Sequence, residues 1–178
     1  MTRKTQGLIR SVGTLLFVGT LGCSQIVTVE VKPSDCINPS SGNCTGGFGD
    51  SRILDVRLYQ LKDAVDRCKL DVDLLAQGKE QEVLKGVLVE QASKQSTSLS
   101  FKVTANEPRS LGSWEIAAET KYVLAVAFGR SAGPGTVRLI PRQDIRMFFP
   151  TLYFRGYDIC VGTPCGQATA TEQQECGK

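Results

Sequence analysis

The sequence predicts a mainly-β chain, built as a two-sheet β-sandwich with a short helical insertion. Three observations carry that expectation. About seven short segments alternate apolar with polar residues or run apolar without a break. Turns rich in Gly, Pro and Asn separate them. One stripe of helical periodicity falls early in the chain, which places a helix beside the sheets and leaves no βαβ alternation.

The first strand is expected over 25–31, where Val27, Val29 and Val31 share one face and Thr28 and Glu30 the other. Residues 32–51 hold Pro, Ser, Gly and Asn in quantity and read as a loop too long for simple chain reversal. Ile53 to Leu61 alternates again, with Leu54, Val56 and Leu58 against Asp55, Arg57 and Tyr59. The helix follows. Asp63 is its expected N-cap, Asp66 lies in the first turn, Val65, Cys68, Val72 and Leu75 form the stripe, and Gly78 closes it. Strands are then expected at 82–90, 98–103, 121–128, 136–140 and 152–161. The run Tyr122 to Phe128 is almost wholly apolar, as in a strand buried on both faces. Asn106-Glu107-Pro108 and Ala132-Gly133-Pro134-Gly135 mark turns.

The amino terminus reads as an export signal. Arg3, Lys4 and Arg10 form a positive region, an uncharged stretch runs from Ser11 to Gly22, and Thr20-Leu21-Gly22-Cys23 ends it. The apolar stretch is shorter than the roughly 20 residues that a spanning helix needs, and it has the size of a signal peptide's apolar core. Small residues before a Cys resemble a lipobox, although Thr20 stands where Leu is usual. Cys23 is therefore the expected first mature residue, carrying diacylglycerol and palmitate, and 1–22 the signal peptide. Ser24 next to it favours the outer membrane. The three bases of the leader account for the whole net charge of +3, so no basic domain is left for nucleic acid. The expected mature parts are a sandwich domain, 23–162, and a Cys-containing tail, 163–178.

Six cysteines remain: Cys36, Cys44, Cys68, Cys160, Cys165 and Cys176. An even number in an exported chain predicts disulfides. Short spacing favours Cys36–Cys44 and Cys160–Cys165, which leaves Cys68–Cys176. A zinc site has no support, since the chain has no His and no CxxC pair. The lack of His also excludes Ser-His-Asp and Cys-His catalysis within the chain. No phosphate-binding Gly motif precedes a helix. Asp71 and Asp73 lack the Gly and the later ligands of a calcium loop and read as a solvated helix face. Trp114, the only Trp, reads as packing. No cofactor, metal, catalytic residue or small-molecule substrate is expected.

One segment goes further. Ile53-Leu54-Asp55-Val56-Arg57-Leu58-Tyr59-Gln60-Leu61-Lys62-Asp63 resembles a segment of the type VI secretion lipoprotein family called TssJ or SciN. Ile37-Asn38-Pro39 resembles the "L-N-P" of that family's loop between the first two strands. Lys121 to Phe128 is similar to one of its strands, and a lipobox precedes the first strand in the same order. The six additional cysteines depart from the pattern. The resemblance implies a transthyretin-like sandwich with a helical addition, lipid-anchored to the periplasmic face of the outer membrane. It implies a structural role, that of binding the periplasmic domain of the inner-membrane protein TssM and so anchoring a trans-envelope complex. It also implies that the partner contact lies in the first loop, here 32–51. Within that loop Asn38 offers a donor and an acceptor, Pro39 restricts the backbone, and Phe48 is the only large aromatic. The competing expectation is an exported sandwich that binds a small ligand or carbohydrate, for which aromatic residues at 7% are sparse.

Overall fold

The computed structural model describes residues 24–39, 52–90, 98–129, 136–145 and 148–165. Among these residues eight strands form two four-stranded sheets. The strands are β1 (Gln25–Ile37), β2 (Leu54–Leu61), β3 (Ser98–Val103), β4 (Arg109–Ile116), β5 (Tyr122–Phe128), β6 (Val137–Pro141), β7 (Leu152–Gly156) and β8 (Asp158–Val161). One sheet runs β4-β1-β7-β8 and the other β3-β2-β5-β6, which is the transthyretin-like order. Among the described residues, only the β1–β7 pairing is parallel. No helix of the described residues is long and apolar enough to cross a membrane.

The inner faces make the main core. Val27, Val29 and Val31 of β1, Leu54, Val56 and Leu58 of β2, and Val123, Ala125 and Ala127 of β5 meet there with Leu152, Phe154 and Ile159. Each fully buried side chain of Val, Leu, Ile or Phe contributes about 1.5–3 kcal/mol. Trp114 is part of this core and packs against Phe149, with ring centroids 6.1 Å apart. Gln60 ends the inner face of β2 with a polar tie between the sheets. Its amide donates to Glu115 O at 2.8 Å, and its Oε1 accepts from Ala117 N and Thr120 Oγ1, both at 2.7 Å. A buried side-chain amide so fully bonded stabilises where a half-bonded one would not.

The second core lies on the outer face of β2 and β5. Tyr59, Leu61, Leu124 and Val126 are covered there by Leu75, Leu84 and Leu88 from the insertion between β2 and β3. β5 is thus apolar on both faces because both faces are covered. The single helix expected over 63–78 is broken. A 3-10 turn at Arg67–Lys69 is followed by α1 (Val72–Ala76) and α2 (Glu80–Val83). The aspartates explain the break. Asp66 accepts from Cys68 N and Asp71 from Leu74 N, so each starts its own short piece. Asp63 bonds only to Ala64 N and caps nothing longer. Gly78 does close α1, at φ +79°, with Gly78 N bonded to Leu75 O and Lys79 N to Leu74 O.

Other boundaries also differ from expectation. The strand expected at 82–90 is α2 and a turn, with a lone bridge from Leu88 to Leu61. The apolar pairs Leu84/Leu88 and Val83/Val87 have helical spacing and face the second core. The segment 152–161 is a hairpin, not one strand, turned at Gly156 with φ 62°. β4 was not expected. β1 continues through Lys32 to Ile37, which sequence reading places in the loop, because β7 pairs with it there. Ser34 supports this end by bonding through its hydroxyl to both Cys36 N and Cys36 O.

Candidate functional site

The connections β1–β2, β3–β4, β5–β6 and β7–β8 leave from one end of the sandwich, as the strand registers require. Leu54, Val103 and the Phe128 end of β5 are neighbours in one sheet. Ile37, Arg109 and Gly156 mark the same end in the other. Asn106 N bonds to Ser34 O across the two. Gln25, where the described chain enters β1, lies at the opposite end, beside Ile116.

Within the first end, the root of the β1–β2 connection is closed by a compact polar cluster. Arg52 N donates to Ile37 O at 2.9 Å, and Asn38 Nδ2 donates to Ile53 O at 2.8 Å. These two bonds hold the strand's exit against its return. Asn38 takes the left-handed conformation, φ 46°, one that Asn adopts more readily than most residues. Its backbone N–H donates to Gly156 O at 2.8 Å. Tyr157, next in the β7–β8 turn, donates its hydroxyl to Pro39 O at 2.7 Å. Gly129, just past β5, leaves room for this arrangement. A Cβ there would lie 2.7 Å from Tyr157 Cδ1 and 3.1 Å from Asn38 Oδ1.

The fold therefore brings Asn38 and Pro39 together, but as buried parts of the root. The Asn38 amide, expected to offer itself to a partner, serves the chain's own Ile53 carbonyl. Phe48, Cys23, Cys44 and Cys176 lie outside the described residues. Sequence reading missed Ile53 and Tyr157. Ile53 is 53% exposed at the loop's return, a large apolar side chain left in solvent next to the root. An Ile placed just before the alternation of β2 begins is the signal that could have found it.

Of the expected disulfides, Cys160–Cys165 is formed, with Cα atoms 5.4 Å apart. It fastens the first residues beyond β8 back onto that strand. Cys36 and Cys68 are disulfide-bonded as well, and which cysteine each takes falls outside the described residues. No group of three or more His, Cys, Asp or Glu side chains that could hold a metal occurs among the described residues.

Two four-stranded sheets in this order, with a helical cover on one outer face and a clamped first connection, define the class: a transthyretin-like sandwich. No protein-family model matches the chain, and no curated protein does. Solved structures do. The type VI secretion lipoprotein TssJ1 from Pseudomonas aeruginosa superposes at a TM-score of 0.58 with 21% identity, over 78% of this chain and 95% of that one. A chain of a type VI membrane complex gives 0.61 with 14% identity, over 77% and 97%. A chain in a structure of the type VI protein TssM C-terminal domain from EAEC gives 0.53 with 12% identity, also over 77% and 97%. The chain has the fold of the TssJ-type lipoproteins.

Proposed function

We propose that the chain is a structural lipoprotein of a type VI secretion envelope complex. Cys23 carries the lipid anchor in the outer membrane, and the β1–β2 connection binds the periplasmic domain of a TssM-type inner-membrane protein. The observation that carries this reading is the clamped root at the end of the sandwich opposite Gln25. β1 spans 13 residues, and at about 3.3 Å per residue it sets the loop up to about 40 Å from the point where the chain leaves its anchor. A loop fixed at both ends loses less entropy on binding than a free one. Such a role needs rigidity and reach and no catalytic group.

Asn38 and Pro39 act in this reading by fixing the root, while Phe48 and Ile53 supply the apolar contact. Binding of the purified partner domain to full-length protein in detergent tests it. Phe48→Ala combined with Ile53→Ala should weaken binding roughly thirty-fold, the size of a 2 kcal/mol anchor, with an unchanged melting temperature. Unchanged affinity in that folded variant removes the loop from the interface. Cys23→Ser should release the protein from the membrane fraction, and a variant that stays bound after a salt wash places the anchor elsewhere.

A further inference from the structure

The outer face of β2 and β3 holds a cavity of about 420 Å³, within the range of small-molecule sites. It shares no residue with the root of the β1–β2 connection. Its floor is made of cross-strand pairs, Asp55 with Lys102, Arg57 with Ser100 and Tyr59 with Ser98. Glu80, the first residue of α2, stands in its wall.

Two polar atoms there are buried without a hydrogen bond of full geometry among the described residues: the Tyr59 hydroxyl, which Arg57 approaches as a donor, and Glu80 Oε2. Tyr59 is 1% exposed. Arg57 leans toward the phenol, but it sends its N–H groups to Leu75 O at 2.8 Å and Ala76 O at 3.3 Å. Burial raises the Tyr59 pKa above its ordinary value of 10.0 despite Arg57, and Glu80 adds to the rise, so the phenol stays neutral. A native fold rarely leaves two such groups together without something that fills them. Glu80 Oε2 can only accept, so a ligand that meets it does so through a donor.

At the outer rim, Asp55 and Lys102 face each other without an ion pair; among the described residues the ion pair is Lys69–Asp66. The lining carries two carboxylates, Asp55 and Glu80, and two cations, Arg57 and Lys102. Such a balance suits a neutral ligand that carries both charges. A polyol would leave those charges unmatched.

We propose that this cavity binds a small zwitterion of amino-acid or dipeptide size, its ammonium held by Glu80 and Tyr59 and its carboxylate by Lys102. The test is a titration of isotope-labelled full-length protein in detergent, followed by NMR. Glycine, L-alanine and L-alanyl-L-alanine are the probes, and N-acetyl-alanine and alaninamide the controls. Saturable shifts confined to residues 55–59, 78–80 and 98–102 are expected with at least one zwitterion. The amino acids against the dipeptide tell a free amino acid from a peptide. The two blocked analogues should bind at least tenfold more weakly. Glu80→Gln should cost at least tenfold in affinity without a change in melting temperature. Tyr59→Phe should also weaken binding while stability holds or rises, because it removes a buried hydroxyl without a hydrogen bond of full geometry. Absence of saturable shifts at about 10 mM, an affinity too weak to matter, overturns the proposal. So does equal binding of the blocked analogues, or a Tyr59→Phe variant that loses stability and keeps its affinity.

Discussion

The two faces of β2 are packed by different means. Inward, Leu54, Val56 and Leu58 are fully buried against other strands, in a core that is apolar up to the polar tie at Gln60. Outward, Arg57 and Tyr59 meet the helical insertion through mixed contacts. Arg57 bonds the carbonyls that end α1 and lies 4.9 Å from the Phe128 ring centroid. The insertion's pieces are three to five residues long, too short to hold their helical form without packing. The inner face therefore sets global stability, while the outer face holds an element that can open by itself.

Three measurements break or sharpen that contrast. Leu58→Ala should cost about 2–5 kcal/mol in denaturant unfolding and lower protection of strand amides throughout. A loss seen only within the insertion would abolish the distinction. Asp71→Ala, which removes the N-cap bond to Leu74 N, should cost about 1 kcal/mol. Amide exchange should rise across 72–90 and stay unchanged in β5. The smallest effect is electrostatic. Asp66 is held below its ordinary 3.8, first by the backbone N–H of Cys68 and then by Lys69. A lowered carboxylate pKa contributes stability that is complete above the ordinary value and fades as pH falls through the lowered one. Protection factors near Arg67–Lys69, corrected for the intrinsic exchange rate, should thus fall on acidification below about pH 4, the ordinary Asp range. Asp66→Asn should remove that dependence. An unaltered profile would deny Asp66 the part.

The sequence made the sandwich legible wherever alternation was clean, as in β2, β3 and β6, and β5 announced its two covered faces by its apolar run. β4 stayed hidden because its pattern breaks at a bulge. Leu111 and Gly112 together oppose Val29, with Gly112 at φ +79°, so the alternation changes face midway. β7 and β8 merged because a two-residue turn with a single Gly leaves little trace between apolar residues. The insertion misled for a third reason: its aspartates compete locally for backbone N–H groups, which periodicity does not register. At the root, Asn38 and Pro39 stood out only through the resemblance of Ile37-Asn38-Pro39 to a family segment, and as partner-binding residues. Their neighbours Gly129, Gly156 and Tyr157 come from distant strands, and only the tertiary fold joins them.

The place of β1 has a mechanical consequence. It lies between β4 and β7, and the same strand enters from residue 24 and leaves at Asn38 into the clamped connection. A pull between those two points runs along the strand's own length. The tension then passes through the covalent backbone of a strand that is already extended, and the rungs to β4 and β7 carry almost none of it. A force across the sheet would instead peel them one by one, as it would at an edge strand. A chain stretched between two attachments at the ends of β1 resists as a cable does, with the rest of the sandwich as its sheath.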